Sequence, residues 1–319
     1  MTTLRAAVIG VGYLGNFHAQ KYLALPGVEL VGVADTDDER AAAVAAKYGV
    51  LGTTEYRDLL AQVDVVSIVT PPATHFAIAR DALEAGVHVL VEKPVTEHVA
   101  EAEALIALAE SRQLVFQVGH LERFNPAVLA LRPLVTAPTR IEARRMARYK
   151  ERGTEVDVVL DMMIHDIDIV LSLVNSPLVS IDATGRAVVT ERIDIADVTL
   201  RFASGCVAEL SASRVHLETV RAMKVIQPDN WLAIDFANHA LLIGSPHAEA
   251  AQDLPLQTQS LVRSDALMDE IRSFLEAVGR GHDPAVTGED GKRALEVAVA
   301  IAQRIHRQPG APARAGSGH

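Results

Sequence analysis

Over the first 120 residues, short and wholly apolar runs alternate with stretches whose apolar positions recur at helical spacing. The runs fall at 4–9, 28–34, 63–69, 87–91 and 114–118, and helical spacing fills 14–25, 37–48, 76–85 and 97–111. A strand that is apolar on both faces must be covered on both faces, which predicts a parallel sheet between two helical layers. The fold class expected here is α/β, a doubly wound sheet with right-handed crossovers.

Beyond residue 120 the pattern changes. A helical stretch follows Asn125-Pro126, a strand is expected over 139–149, and a helix over 158–174. Alternating segments then follow one another without helices between them, at 179–189, 194–202, 206–213, 219–227 and 231–236. Ala203-Ser204-Gly205 and Pro228-Asp229-Asn230 supply turn residues for hairpins. Strands in series imply a mixed or antiparallel sheet with one face open. Two further helices are expected over 264–279 and 288–307, ahead of a Pro/Gly/Ala-rich tail. The organisation expected is a dinucleotide-binding domain over 1–120, a substrate-binding and oligomerisation α+β domain over 121–307, and a disordered tail over 308–319. The last helices are allowed to pack back on the first domain.

Composition narrows the class of partner. The chain has 319 residues, with 30 Lys and Arg against 41 Asp and Glu and a formal net charge of −11. That balance disfavours nucleic acid. A single cysteine, Cys206, excludes a disulfide scaffold and a cysteine-based zinc site. It falls in an alternating segment and reads as a small strand residue. No apolar run approaches the length of a membrane span, and no basic and apolar leader precedes the first strand. The cytoplasm is the expected location.

The first chemical motif is Gly10-Val11-Gly12-Tyr13-Leu14-Gly15, directly after a strand and at the opening of a helix. The first glycine permits a tight turn, the second lets a pyrophosphate approach the backbone, and the third lets helix pack on strand. Phosphates then meet N–H groups and the positive end of a helix dipole. Asp35 ends the second strand, where a carboxylate reaches the ribose hydroxyls of an adenosine. It repels a 2′-phosphate, and Thr36-Asp37-Asp38 offers no cation to offset it. The expected cofactor is NAD rather than NADP. Thr70-Pro71-Pro72 lies at the same carboxyl edge of the sheet; His75, just beyond, either lines the cofactor or is a solvated helix residue.

Glu92-Lys93-Pro94 follows the fourth apolar run, again at the ligand edge. A lysine there can stabilise a developing alkoxide, and an exposed loop lysine is the alternative. In the second half, Asp161 and His165 stand about one helical turn apart, with Asp168 on the same face. A carboxylate beside an imidazole suits a general base, whereas charges at this spacing also serve a solvated helix.

These motifs, in this order, resemble the Gfo/Idh/MocA family of NAD(P)-dependent sugar and cyclitol oxidoreductases, as does the Gly288–Ala294 opening of the last helix. The resemblance covers residues 4 to about 305. It implies a Rossmann domain followed by an α/β domain whose open sheet mediates dimers or tetramers. It also implies that Lys93, Asp161 and His165 surround the reacting hydroxyl. His165 would take its proton, Lys93 would stabilise the oxygen, and Asp161 would orient substrate or lysine; the choice of base between Lys93 and His165 stays open. Glu92 and Lys93 join Gly10, Gly12, Tyr13, Leu14, Gly15, Asp35, Thr70, Pro71 and His75 as the expected cofactor contacts.

Two segments, residues 119–126 and 158–168, are similar to the nucleotide-sugar branch of that family. This branch oxidises the 3-hydroxyl of UDP-N-acetylglucosamine and supplies a 3-keto sugar to an aminotransferase in lipid A precursor synthesis. Arg123 and Asn125 are then expected to join Asp161 and His165 in binding substrate. The basic stretch Arg144, Arg145, Arg148, Lys150 and Arg152 offers a diphosphate contact or a solubilising edge strand. Hydride chemistry on a free sugar, an inositol or a small keto compound is the second expectation. A non-catalytic NAD-binding regulator is the third.

Overall fold

The computed structural model describes residues 3–151, 154–245 and 257–308, and the chain divides into two compact units. The first comprises residues 1–121 and 265–292, the second 122–264 and 293–319. The tail expected over 308–319 lies outside the described residues except for Gln308, as does Arg152.

In the first unit six parallel strands take the order β3-β2-β1-β4-β5-β6. They are β1 (Leu4–Ile9), β2 (Val28–Ala34), β3 (Leu51–Thr53), β4 (Val65–Ile68), β5 (His88–Glu92) and β6 (Phe116–Gly119). Helices α1 (Tyr13–Ala24), α2 (Asp38–Tyr48), α3 (Arg57–Leu60), α4 (Pro72–Glu84) and α5 (Val99–Ser111) make the crossovers. The expected runs are all present. β3 and α3 escape periodicity because each is shorter than the window that reveals a pattern. The strand order reverses at β1, so β1, β4 and β5 end at the edge where a doubly wound sheet takes its ligand.

The second unit opens with a 3₁₀ turn (Leu121–Phe124) and α6 (Pro126–Leu131), capped by the Asn125 side chain. Strand β7 (Arg140–Met146) is followed by a π-helical segment (Val159–Met163), α7 (Ile164–Leu173) and strands β8 (Leu178–Arg186), β9 (Ile195–Phe202) and β10 (Val207–Ser213). Strands β11 (Val220–Ile226), β12 (Trp231–Asp235), β13 (Ala240–Gly244) and β14 (Gln257–Ser260) complete a sheet of eight, in the order β14-β13-β12-β11-β7-β10-β9-β8. Among the described residues of this sheet only β7 and β10 pair in parallel. One face is buried by α7 and its neighbours around Ile141, Leu210, Met223 and Ile164, as one-sided alternation requires.

Helices α8 (Ala266–Arg280) and α9 (Gly288–His306) end the described chain. The sequence placed α8 within the span of the second domain and allowed it to pack back on the first; in the structure it belongs to the first unit. The reason is its apolar stripe. Leu267, Ile271 and Phe274 pack in one cluster with Tyr22 of α1 and Leu90 of β5. Lys21 on α1 also pairs with the α8 cap residue Asp265 at 2.6 Å. Among the described residues no helix is long and apolar enough to cross a membrane.

Candidate active site

The glycine turn takes the form its sequence predicts. Gly10 has φ +86°, and a Cβ there would stand 2.6 Å from the Val69 carbonyl oxygen. A Cβ on Gly15 would overlap the Gly10 carbonyl, so helix and strand meet at a distance that only glycine permits. Nothing lies within 4 Å of a Cβ built on Gly12, which leaves its backbone open to approach. Gly12 is also the N-cap of α1, with no side-chain cap and no acidic residue in the first turn. Tyr13 and Leu14 begin that turn, and the Tyr13 ring, largely exposed, meets Phe17 edge-on. An open glycine at an uncapped, undischarged helix start fits a pyrophosphate.

Asp35 closes β2 against this turn. One carboxylate oxygen accepts the Val11 N–H at 2.9 Å, while the other accepts the Asp37 N–H and the Arg40 guanidinium, each at 3.0 Å. Arg40 corrects the expectation that no cation offsets Asp35, since it lies just beyond Thr36-Asp37-Asp38. It stands on the first turn of α2, where Asp37 caps the helix and also binds the same guanidinium at 2.8 Å. The carboxylate that would meet a ribose therefore carries its own counter-ion.

His75 is neither solvated nor open to a ligand. It is fully buried, with Nε2 2.8 Å from the Thr70 carbonyl oxygen and Nδ1 2.9 Å from that of Pro94. Burial holds its pKa below the ordinary value, although both carbonyls and the Glu92 charge pull the other way. It thereby ties the Thr70-Pro71 loop to the Glu92-Lys93-Pro94 turn. Thr70 in turn accepts the Thr74 hydroxyl at 2.7 Å, and Pro71 caps α4. Glu92, the last residue of β5, accepts the Lys93 N–H at 3.3 Å and lies 3.4 Å from Nε2 of the buried His18 on α1.

In the second unit, Asp161 lies within the π segment and His165 in the first turn of α7. Both are partly exposed while Met163 and Ile164 between them are buried, so they share the outward side of the junction. A straight helix over 158–174 was expected. The wider π turn replaces its start, and such turns often mark functional positions. The segment is anchored at Asp157, whose carboxylate accepts the Ile193 N–H at 2.9 Å and lies 3.0 Å from His306 Nε2.

Asp168 does not share the Asp161–His165 face as the spacing suggested. It is buried in a bidentate pair with Arg123, at 2.6 and 2.9 Å. Arg145 projects from the covered face of β7, where it grips Asp166 at 2.8 and 2.9 Å and Glu122 at 2.8 Å. Glu122 also accepts the Asn125 amide at 3.0 Å. Arg123 and Asn125 thus serve a buried network that flanks His165 in sequence, and Arg145 belongs to it rather than to a basic surface. Burial opposes the charge on Arg145, but Asp166 and Glu122 outweigh it and hold its pKa above the usual arginine value. Of the other basic residues, Arg148 donates to the Leu217 carbonyl at 2.7 Å.

Comparison with known proteins gives this geometry a family. Residues 4–120 match the model for the oxidoreductase family with an NAD-binding Rossmann fold, and residues 134–227 match the GFO/IDH/MocA C-terminal domain. A UDP-N-acetylglucosamine 3-dehydrogenase of Acidithiobacillus ferrooxidans is 42% identical over 96% of this chain and all of its own. The chain belongs to the Gfo/Idh/MocA family. It is accordingly an oxidoreductase with an NAD-binding Rossmann domain. The solved structure of that A. ferrooxidans enzyme superposes with a TM-score of 0.90, covering 96% of this chain and 98% of its own. The scyllo-inositol 2-dehydrogenase (NAD(+)) of Bacillus subtilis is 30% identical over 93% of this chain and 92% of its own. A levoglucosan dehydrogenase in complex with NADH, at 18% identity and a TM-score of 0.87, shares the fold.

Proposed function

We propose that this protein oxidises the 3-hydroxyl of UDP-N-acetylglucosamine, with NAD as hydride acceptor, and supplies the 3-keto nucleotide sugar to an aminotransferase. The observation that carries the reading is end-to-end likeness, in sequence and in fold, to the A. ferrooxidans UDP-N-acetylglucosamine 3-dehydrogenase. Asp35 supports NAD over NADP: a carboxylate after β2 repels a 2′-phosphate, and Arg40 is already engaged by Asp35 and Asp37.

In this reading NAD, which the Gly10–Gly15 turn and Asp35 would hold, would supply the hydride acceptor for C3, and the hydroxyl proton leaves to the protein. His165 takes that proton, Asp161 orients the sugar or the lysine, and Lys93 stabilises the oxygen as its negative charge grows. Ketone, NADH and one proton balance the step. His75 holds the Thr70 and Pro94 loops in place from beneath, and the buried Arg145–Asp166 and Arg123–Asp168 pairs fix the helix that presents His165. The reaction is assigned to the cytoplasm, where a soluble nucleotide sugar and NAD are both present. Turnover is the test: NADH formation with UDP-N-acetylglucosamine, compared with UDP-N-acetylgalactosamine, free N-acetylglucosamine and myo-inositol.

A further inference from the structure

Behind the Glu92-Lys93 turn, the core of the first unit contains a polar cluster. Glu270 on α8 is fully buried, and neither carboxyl oxygen has a hydrogen-bond partner among the described residues. His18 and Gln117 are also fully buried; Nδ1 of His18 and Oε1 of Gln117 likewise lack a partner there. The Gln117 amide donates to the Glu270 backbone carbonyl at 3.3 Å, and His18 Nε2 faces Glu92 at 3.4 Å. Glu92 is confined on its other side: a Cβ on Gly119, its partner across β5 and β6, would stand 3.0 Å from the carboxyl.

Glu270 is out of place as a structural residue. The face it occupies is otherwise apolar, formed by Leu267, Ile271 and Phe274, and a leucine would extend it without burying a polar group. An unpartnered carboxyl in a core lowers stability, and groups of this kind gather at functional sites. We propose that Glu270 is a positioning residue that acts through Glu92 to fix the Glu92-Lys93 turn for hydride transfer. The proposal rests on the role given above to Lys93.

Burial, and then the charge of Glu92, raise the Glu270 pKa well above the ordinary glutamate value. Glu270 feels the charge of Glu92 on β5 and acts in turn on Tyr22 of α1, which is bonded to the neutral Ser67 of β4 at 2.8 Å; His18 on α1 faces Glu92, and the neutral Gln117 of β6 donates to the Glu270 backbone. The unfolded chain ionises Glu270 above the ordinary glutamate pKa while the folded chain does not, so the wild type loses stability as pH rises through that window. Glu270→Gln and Glu270→Leu escape this loss, and both should melt at higher temperature than wild type at neutral pH.

The test uses the full chain and the variants E270L and E270Q. For E270L we expect a raised Tm and kcat with the UDP-sugar lowered by about tenfold or more. E270Q, neutral and of the same shape, should restore most of that loss. Wild-type kcat in E270L would overturn the proposal, as would a loss of activity accompanied by a lower Tm. A second readout separates this inference from the substrate assignment. The rate of reductive methylation of Lys93, followed by mass spectrometry, should change in E270L and return in E270Q, whether or not any sugar is turned over. Equal rates in all three proteins would overturn the proposal.

Discussion

Asp35 and His165 carry the sharpest consequences for single residues. Replacing Asp35 with serine removes the carboxylate that accepts Val11 N–H and frees Arg40 from one of its two partners. The Asp35→Ser enzyme should bind NAD more weakly, by about tenfold or more, and gain activity with NADP, because Arg40 then meets the 2′-phosphate. Initial rates with the two cofactors decide it, and an unchanged NAD preference would contradict the role given to Asp35. His165→Asn keeps the size and loses the proton acceptor, so kcat should fall by about a hundredfold or more while NAD binding holds. Full turnover in that variant would remove His165 as the base. At this scale the glycines and Asp35 were legible because local sequence alone dictates their chemistry. Arg40 and Glu270 were not. Arg40 is local, brought to Asp35 by the first turn of α2 just beyond Thr36-Asp37-Asp38, whereas Glu270 comes to the Glu92 side of the core on a helix far along the chain, which no local pattern records.

Among the elements, α7 depends most visibly on its buried ion pairs. Arg145 neutralises Asp166 and Glu122 together, and both carboxylates are nearly sealed from solvent. Arg145→Leu leaves these charges without their guanidinium and should destabilise the protein by about 3–5 kcal/mol, measured by urea denaturation. A variant as stable as wild type would mean that the network is dispensable. Amphipathic patterning revealed α7 but misread its polar positions. Asp161, His165 and Asp168 were grouped by a 3.6-residue period, yet the chain enters through a π turn and Asp168 points inward to Arg123. An aspartate on a helix looks solvated until a buried arginine from another element is found for it. The same limit applies to β7, where alternation separates the exposed Arg144 from the buried Arg145 but cannot say what Arg145 meets.

At the level of the whole molecule, both sheets were legible apart from the short strands β3, β13 and β14, because their burial patterns differ, continuous in the first and alternating in the second. The unit to which α8 belongs was not, since an apolar helical stripe does not name the surface it will cover. The open face of the eight-stranded sheet carries partly exposed Ala222, Ile226, Trp231 and Ala233 beside Lys224 and Glu142. A homodimer or homotetramer through this face is the assembly we propose, and sedimentation velocity should give a mass at least twice the 34.2 kDa chain. A monomer at micromolar concentration would contradict it. The central claim is the reaction itself. Mixing the protein with NAD and UDP-N-acetylglucosamine should produce NADH absorbance and a 3-keto product, with little or none from free N-acetylglucosamine or myo-inositol. NADH formed only from the free sugar or the polyol would contradict the account.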